Sequence, residues 1–156
     1  MNTTYKLLIS ILSPLLIGAI GSLFTFQSIP VWYAGLAKPE LAPPNWIFGP
    51  VWTVLYILMG SAAFLVWRRG LELRKATLAL SLFIGQLVLN ALWSIIFFGL
   101  HNPGLAFIEI VFLWTAIVAT IVSFAHISKT AAWLLAPYIV WVSFASYLNF
   151  AIWMLN

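Results

Sequence analysis

ATLALSLFIGQLVLNALWSIIFFGLHNPGLAFIEIVFLWTAIVATIVSFAHIS, residues 76–128, carries a single charged side chain, Glu109, and is punctuated by the turn signal Asn102-Pro103-Gly104. Each half is long enough for the roughly 20 residues a helix needs to cross a bilayer. Both halves are apolar all round, whereas a membrane barrel strand would alternate at period two. Inside lipid, only a helix or a closed barrel satisfies every backbone N–H and C=O. The segment therefore reads as two spanning helices joined by a tight turn.

Further charge-free runs extend outward, from Leu7 to Ala37, Leu41 to Trp67 and Thr130 to Asn156. The reading is an all-α integral membrane bundle in one domain, 1–156, with five transmembrane helices over about 5–27, 47–68, 76–99, 104–126 and 131–155. Pro50 suits a first helical turn, while Pro14 and Pro137 fall inside spans, where proline kinks a helix. Lys6 and the small residues Gly18 to Ser22 also fit a signal peptide, but the apolar run continues through Leu23, Phe24 and Phe26, which favours retention as a span.

Composition agrees. Of 156 residues 64% are hydrophobic and only 6% charged, so a soluble globule of this size would lack the interior to hide them. Seven Lys and Arg against three Asp and Glu give +4, but the cations are scattered over loops, which sets nucleic acid aside as a partner. With zero cysteines there is no disulfide framework, thiolate nucleophile or iron–sulfur site. Five crossings place Lys6, Arg68, Arg69, Arg74, Lys75 and Lys129 on one side and Lys38 on the other, so the positive-inside rule puts the N-terminus in the cytoplasm and the C-terminus outside.

The non-cytoplasmic half concentrates the polar and aromatic residues: Asn45, Trp46, Trp52, Asn90, Trp93, Ser94, His101, Glu109 and Asn149. Gln86, Asn90 and Ser94 recur at four-residue spacing, one stripe on the third helix that should face the bundle. Such amides commonly just join helices; Asn90 and Asn149, lying among aromatics, are equally candidates for a ligand. Of nine Trp, Trp67, Trp133 and Trp153 fit an interfacial belt with wet indole N–H groups, whereas Trp114 and Trp141 fall near mid-membrane and need packing, lipid or a cavity. Glu109 is a functional candidate as an intramembrane acid, or a snorkelling residue close to its helix end. Thr77, Ser81 and Gly85 offer a small-residue face on the third helix for a second copy.

Three segments carry a resemblance. Trp32-Tyr33-Ala34-Gly35-Leu36-Ala37-Lys38-Pro39 followed by residues 43–60, PPNWIFGPVWTVLYILMG, resembles the first loop and second helix of the translocator protein (TspO/MBR, tryptophan-rich sensory protein) family. Gln86-Leu87 with Asn90, Trp93 and Ile96-Phe97-Phe98-Gly99 is similar to its third helix, and Pro137-Tyr138, Trp141, Phe144-Ala145 and Leu148-Asn149 to its fifth. The resemblance spans about residues 5–155 and implies a five-helix bundle, commonly a homodimer, that binds protoporphyrin IX or a related tetrapyrrole. In animal relatives it implies sterol and benzodiazepine-type ligands. It places the pocket under the first loop, at Trp32, Asn45, Trp52, Asn90, Trp93, Trp141, Phe144, Ala145 and Leu148. Two departures stand out: Glu40-Leu41 follows the Lys38-Pro39 pair where the family usually has Trp, and no cation follows Tyr147, as the sterol pattern of animal members requires.

Three functions compete. A binding and sensing protein needs ring faces for a flat aromatic disc, here Trp52, Trp93, Trp141 and Phe144, and donors for its carboxylates, here Asn90, Asn149 or Lys38. No metal site or resident cofactor is expected, the porphyrin being ligand or substrate, because His101 and His126 lie in loops on opposite sides. A light-driven porphyrin-degrading enzyme would use Trp52 and Trp141 as its catalytic residues, since no acid–base dyad or nucleophile pair is present. A transporter of sterols or other apolar compounds is the third reading, although no repeated half is visible.

Overall fold

The computed structural model describes residues 1–70, 72 and 74–156. Among these described residues five spans are long and apolar enough to cross a membrane. Helix α1 is Thr3–Ser28; α2 is Phe48–Trp67, entered through a tight turn at Asn45–Ile47; α3 is Arg74–Ser94, continued by a widened π turn at Ile95–Gly99; α4 is Pro103–Ala125. The last span is not the single kinked helix expected over 131–155 but two helices, α5 (Lys129–Leu134) and α6 (Ala136–Leu155). Pro137 is the reason: it has no N–H for the carbonyl of Trp133 and its ring crowds that carbonyl. The short helix closes with Leu135 N donating to Ala132 O at 3.1 Å, and the ladder restarts with Ile139 N donating to Leu135 O at 3.1 Å.

Short polar side chains start the helices. Asn102 Oδ1 accepts from Leu105 N at 3.0 Å and Ser128 Oγ from Ala131 N at 3.3 Å, relieving first-turn donors that lipid could not satisfy. Hydroxyls along the spans turn back on their own helix, as Ser61 Oγ to Ile57 O (2.8 Å) and Thr115 Oγ1 to Val111 O (2.9 Å).

The core follows a helical period: Leu55, Met59, Ala62, Ala63 and Val66 on α2 and Ile110, Leu113, Ile117 and Phe124 on α4 belong to one buried cluster. Leu12, Leu16, Ile20 and Leu23 on α1 and Leu78, Ile84 and Val88 on α3 face outward, the surplus the composition required. Helices α1 and α2 touch through backbone. Pro14 deprives Ser10 O of its helical donor, and a Cβ placed on Gly60 would lie 2.6 Å from that oxygen and 2.7 Å from Ile11 Cα.

One end of the bundle, here the loop end, carries the connection 29–44. Tyr33 is buried there, and Lys38 donates to Leu36 O at 3.1 Å with its ammonium 4.8 Å from the Tyr33 ring centre. Asn156 holds the loop with two bonds, accepting from Ala37 N (3.0 Å) and donating through Nδ2 to Ala37 O (2.9 Å). Replacing Asn156 with alanine removes both. Amide exchange at Ala37 should then accelerate by about tenfold, with the transmembrane amides unchanged, as hydrogen-exchange mass spectrometry would show.

Candidate functional site

A cavity of about 380 Å3 lies in the loop half of the bundle, within the 300–1,000 Å3 typical of small-molecule sites. Its aromatic walls are Trp52, Tyr56 and Phe48 from α2, Trp93 from α3, Phe98 from the π turn and Trp141 from α6. The opposite wall is α1, where small residues, Gly18, Ala19, Gly21, Ser22 and Thr25, leave the volume that indoles would otherwise fill. At Gly18 the fit is tight: an added Cβ would meet the Tyr56 ring at 2.3 Å. Between α1 and α2 the lining residues Ala19, Phe26, Gly49 and Thr53 are exposed, so the mouth opens sideways between these helices. Residues 30–44 contribute nothing to the lining.

Each indole is held. Trp52 stacks on Tyr56 (centroids 5.5 Å apart, planes 28°) and meets the edge of Tyr138 at 6.2 Å. Trp93 stacks on Phe97 at 5.2 Å, and its Nε1 donates to Asn149 Oδ1 at 2.9 Å, while Asn149 Nδ2 donates to Pro103 O at 2.7 Å. Trp141 is braced by Phe48 at 6.1 Å and Phe144 at 5.7 Å. Behind the Trp52 wall runs a buried polar chain across three helices. Tyr56 donates to Asn90 Oδ1 (2.7 Å), Asn90 Nδ2 to the Tyr138 hydroxyl (3.0 Å), and Tyr138 to Gln86 Oε1 (2.7 Å).

The structure thus brings Asn45, Trp52, Trp93, Trp141 and Ala145 together on the cavity. Asn90 stands behind it in the polar chain, Phe144 behind Trp141, and Leu148 is buried outside the lining. Trp32 lies instead on a separate groove, stacked on His101 at 4.5 Å. Neither Asn149 nor Lys38 lines the cavity, so Asn45 supplies its amide among the described residues. The wall residues Phe48, Tyr56 and Phe98 were missed, and so was the whole α1 face. Its signal was present as Gly18 and Ser22, four apart, but small spacing alone does not distinguish helix packing from a cavity wall.

Two single residues differ from expectation, and a third, Trp114, agrees with it. Glu109 does not snorkel: it is 6% exposed on the α4 face turned to the bundle, and neither carboxylate oxygen has a hydrogen-bond partner among the described residues. Trp67 is not a wet belt residue, since its indole N–H is buried without an acceptor among the described residues. Trp114 faces outward yet satisfies its N–H with Ser143 Oγ on α6 at 2.9 Å.

Comparison with known proteins returns a match to the model of the TspO/MBR family over residues 10–154. The chain is 51% identical to the "Tryptophan-rich protein TspO" of Archaeoglobus fulgidus over 97% of each chain. It is 42% identical to the "Translocator protein" of Homo sapiens, covering 93% of this chain and 86% of that one. A "Tryptophan-rich sensory protein" of Cereibacter sphaeroides is 36% identical over 80% of this chain and 77% of its own.

Proposed function

The chain belongs to the TspO/MBR family of multi-pass integral membrane proteins, and from that premise we propose that its cavity binds a flat aromatic tetrapyrrole of the protoporphyrin IX class in a sensing or transport role. The observation that carries this reading is the convergence of Trp52, Trp93 and Trp141, from three helices, on one cavity whose fourth side is small residues of α1. Ring faces stack on a planar macrocycle, and the Gly18–Ser22 surface leaves it room. Asn45 at the rim supplies an amide for a carboxylate edge. Sterols and benzodiazepine-type compounds are the other ligands this apolar chamber suits. With Lys6, Arg68, Arg69, Arg74, Lys75 and Lys129 at the far end, the positive-inside rule puts the loop end and the cavity on the non-cytoplasmic side, N-terminus inside.

Titrating the protein in nanodiscs with protoporphyrin IX should quench tryptophan fluorescence saturably. Trp141→Ala should weaken the apparent Kd by about tenfold, the value of one aromatic wall. Equal quenching of both proteins would reject the cavity as the site. Trp52→Phe with Trp141→Phe separates binding from consumption: under illumination, a rate of porphyrin loss unchanged by the double replacement rejects an indole-driven reaction.

A homodimer through α3 is part of the same proposal. Leu78, Ile84 and Val88 are exposed on this helix and the Gly85 Cβ position is open, with nothing within 4 Å. Small residues there permit close backbone approach of a second copy.

A further inference from the structure

A second groove, about 480 Å3, lies at the loop end between the end of α1 and the turn after α3. It is separated from the cavity by Phe98, which lines both. Its walls are apolar, Phe24, Val31, Phe98 and the Trp32 ring, and its polar groups are Gln27, Ser28 and His101.

The hydrogen bonding of these groups fixes what they offer. Ser28 Oγ donates its only proton to Phe98 O, a carbonyl in the π turn where the regular ladder is widened. Its contact with His101 Nε2 at 3.1 Å must therefore be donated by the imidazole. In a neutral ring that leaves Nδ1 as an acceptor. Gln27 is exposed and its amide bonds to none of the described residues, so it offers both a donor and an acceptor. His101 is held for this arrangement at φ 54, a left-handed conformation uncommon outside glycine, and stacked with Trp32 at an interplanar angle of 17°.

One acceptor beside a donor–acceptor amide is the complement of a hydroxyl, which gives one proton and receives another. The groove lies where two spanning helices end, at headgroup depth, with exposed Leu23, Val31 and Leu100 around it for acyl chains. We propose that this groove binds the free hydroxyl of a membrane lipid, His101 Nδ1 accepting its proton and the Gln27 amide donating to its oxygen. A phosphate headgroup fits less well, because among the described residues no Lys or Arg lines the groove and His101 is its one titratable lining residue. This site is independent of the tetrapyrrole reading of the cavity.

The test is photolabelling of the full-length protein in nanodiscs with a diacylglycerol carrying a diazirine in one acyl chain, beside its 3-O-methyl ether and the matching phosphatidic acid. Peptide mapping should place diacylglycerol label on the segment 23–32, exceeding the ether by about fivefold, the ratio expected for a net hydrogen bond. Gln27→Leu and His101→Asn should each reduce the excess toward one; asparagine also tolerates the left-handed backbone, and an unchanged unfolding midpoint confirms intact variants. Equal labelling by alcohol and ether overturns the proposal, as does label spread evenly over the outward faces of all helices. Stronger labelling by phosphatidic acid than by the diacylglycerol overturns it in favour of an anionic headgroup.

Discussion

Gly60→Ala is expected to lower the stability of the folded bundle by about 2 kcal/mol, although alanine is normally the better helix former by about 1 kcal/mol. The reason is that the atoms in the way are backbone. The new methyl would meet Ser10 O at 2.6 Å and Ile11 Cα at 2.7 Å, neither of which can rotate aside. Relief requires α1 to move away from α2, and overpacking of this sort costs about 1–3 kcal/mol in well-packed interiors. Gly85→Ala, read on monomeric protein, is the matched control: nothing in the same chain lies within 4 Å of that Cβ position, so in the monomer the propensity gain should appear unopposed. Titrating both variants with a denaturing detergent in mixed micelles should move their midpoints in opposite directions. A stabilised Gly60→Ala protein would show that the two helices do not meet as described.

Asn90→Leu is expected to cost about 2–3 kcal/mol and to weaken ligand binding as well. Asn90 is the middle of the chain from Tyr56 to Gln86, so leucine leaves the buried Tyr56 hydroxyl without its acceptor and removes a donor from Tyr138. A single interhelical hydrogen bond in a membrane is worth about 0.6 kcal/mol on average, but a buried polar group stranded without a partner costs about 1–3 kcal/mol. Tyr56 and Tyr138 are also the rings against which Trp52 rests, at 5.5 Å and 6.2 Å, so loosening them loosens a wall of the cavity. Removing both ends together, Tyr56→Phe with Asn90→Leu, should be milder than the sum of the single changes, because no hydroxyl is then left stranded at α2. Strict additivity in that double-mutant cycle would count against the chain.

The layout of spans was legible because lipid leaves the backbone no choice but helix, and charged residues mark where lipid ends. Of the cavity's aromatic residues Trp52, Trp93 and Trp141 were legible, Trp141 for a related reason: it lies too deep for an interfacial belt and had to face something, and that is the cavity. What could not be read was direction. Asn90 and Gln86 were correctly placed on one inward stripe, yet nothing local specifies that Asn90 bonds two tyrosines from other helices instead of facing the cavity. Trp32 occurs in the same loop motif as the cavity residues, but a π turn in α3 and the backbone of His101 carry the His101 ring beneath it. The break at Leu135 was visible as Pro137 and underestimated, since the loss of a donor and the ring's bulk act together on the carbonyl of Trp133.

The sideways opening of the cavity also determines how occupancy responds to its surroundings. Ala19 and Thr53 border that gap inside the spans, where the neighbouring medium is acyl chain. A compound dissolved in the bilayer meets the chamber without first returning to water, so the quantity that sets saturation is its mole fraction among the lipids. Doubling the lipid at constant total compound should therefore halve the effective dose, and two compounds of equal intrinsic fit should differ in apparent potency by their oil–water partition ratio.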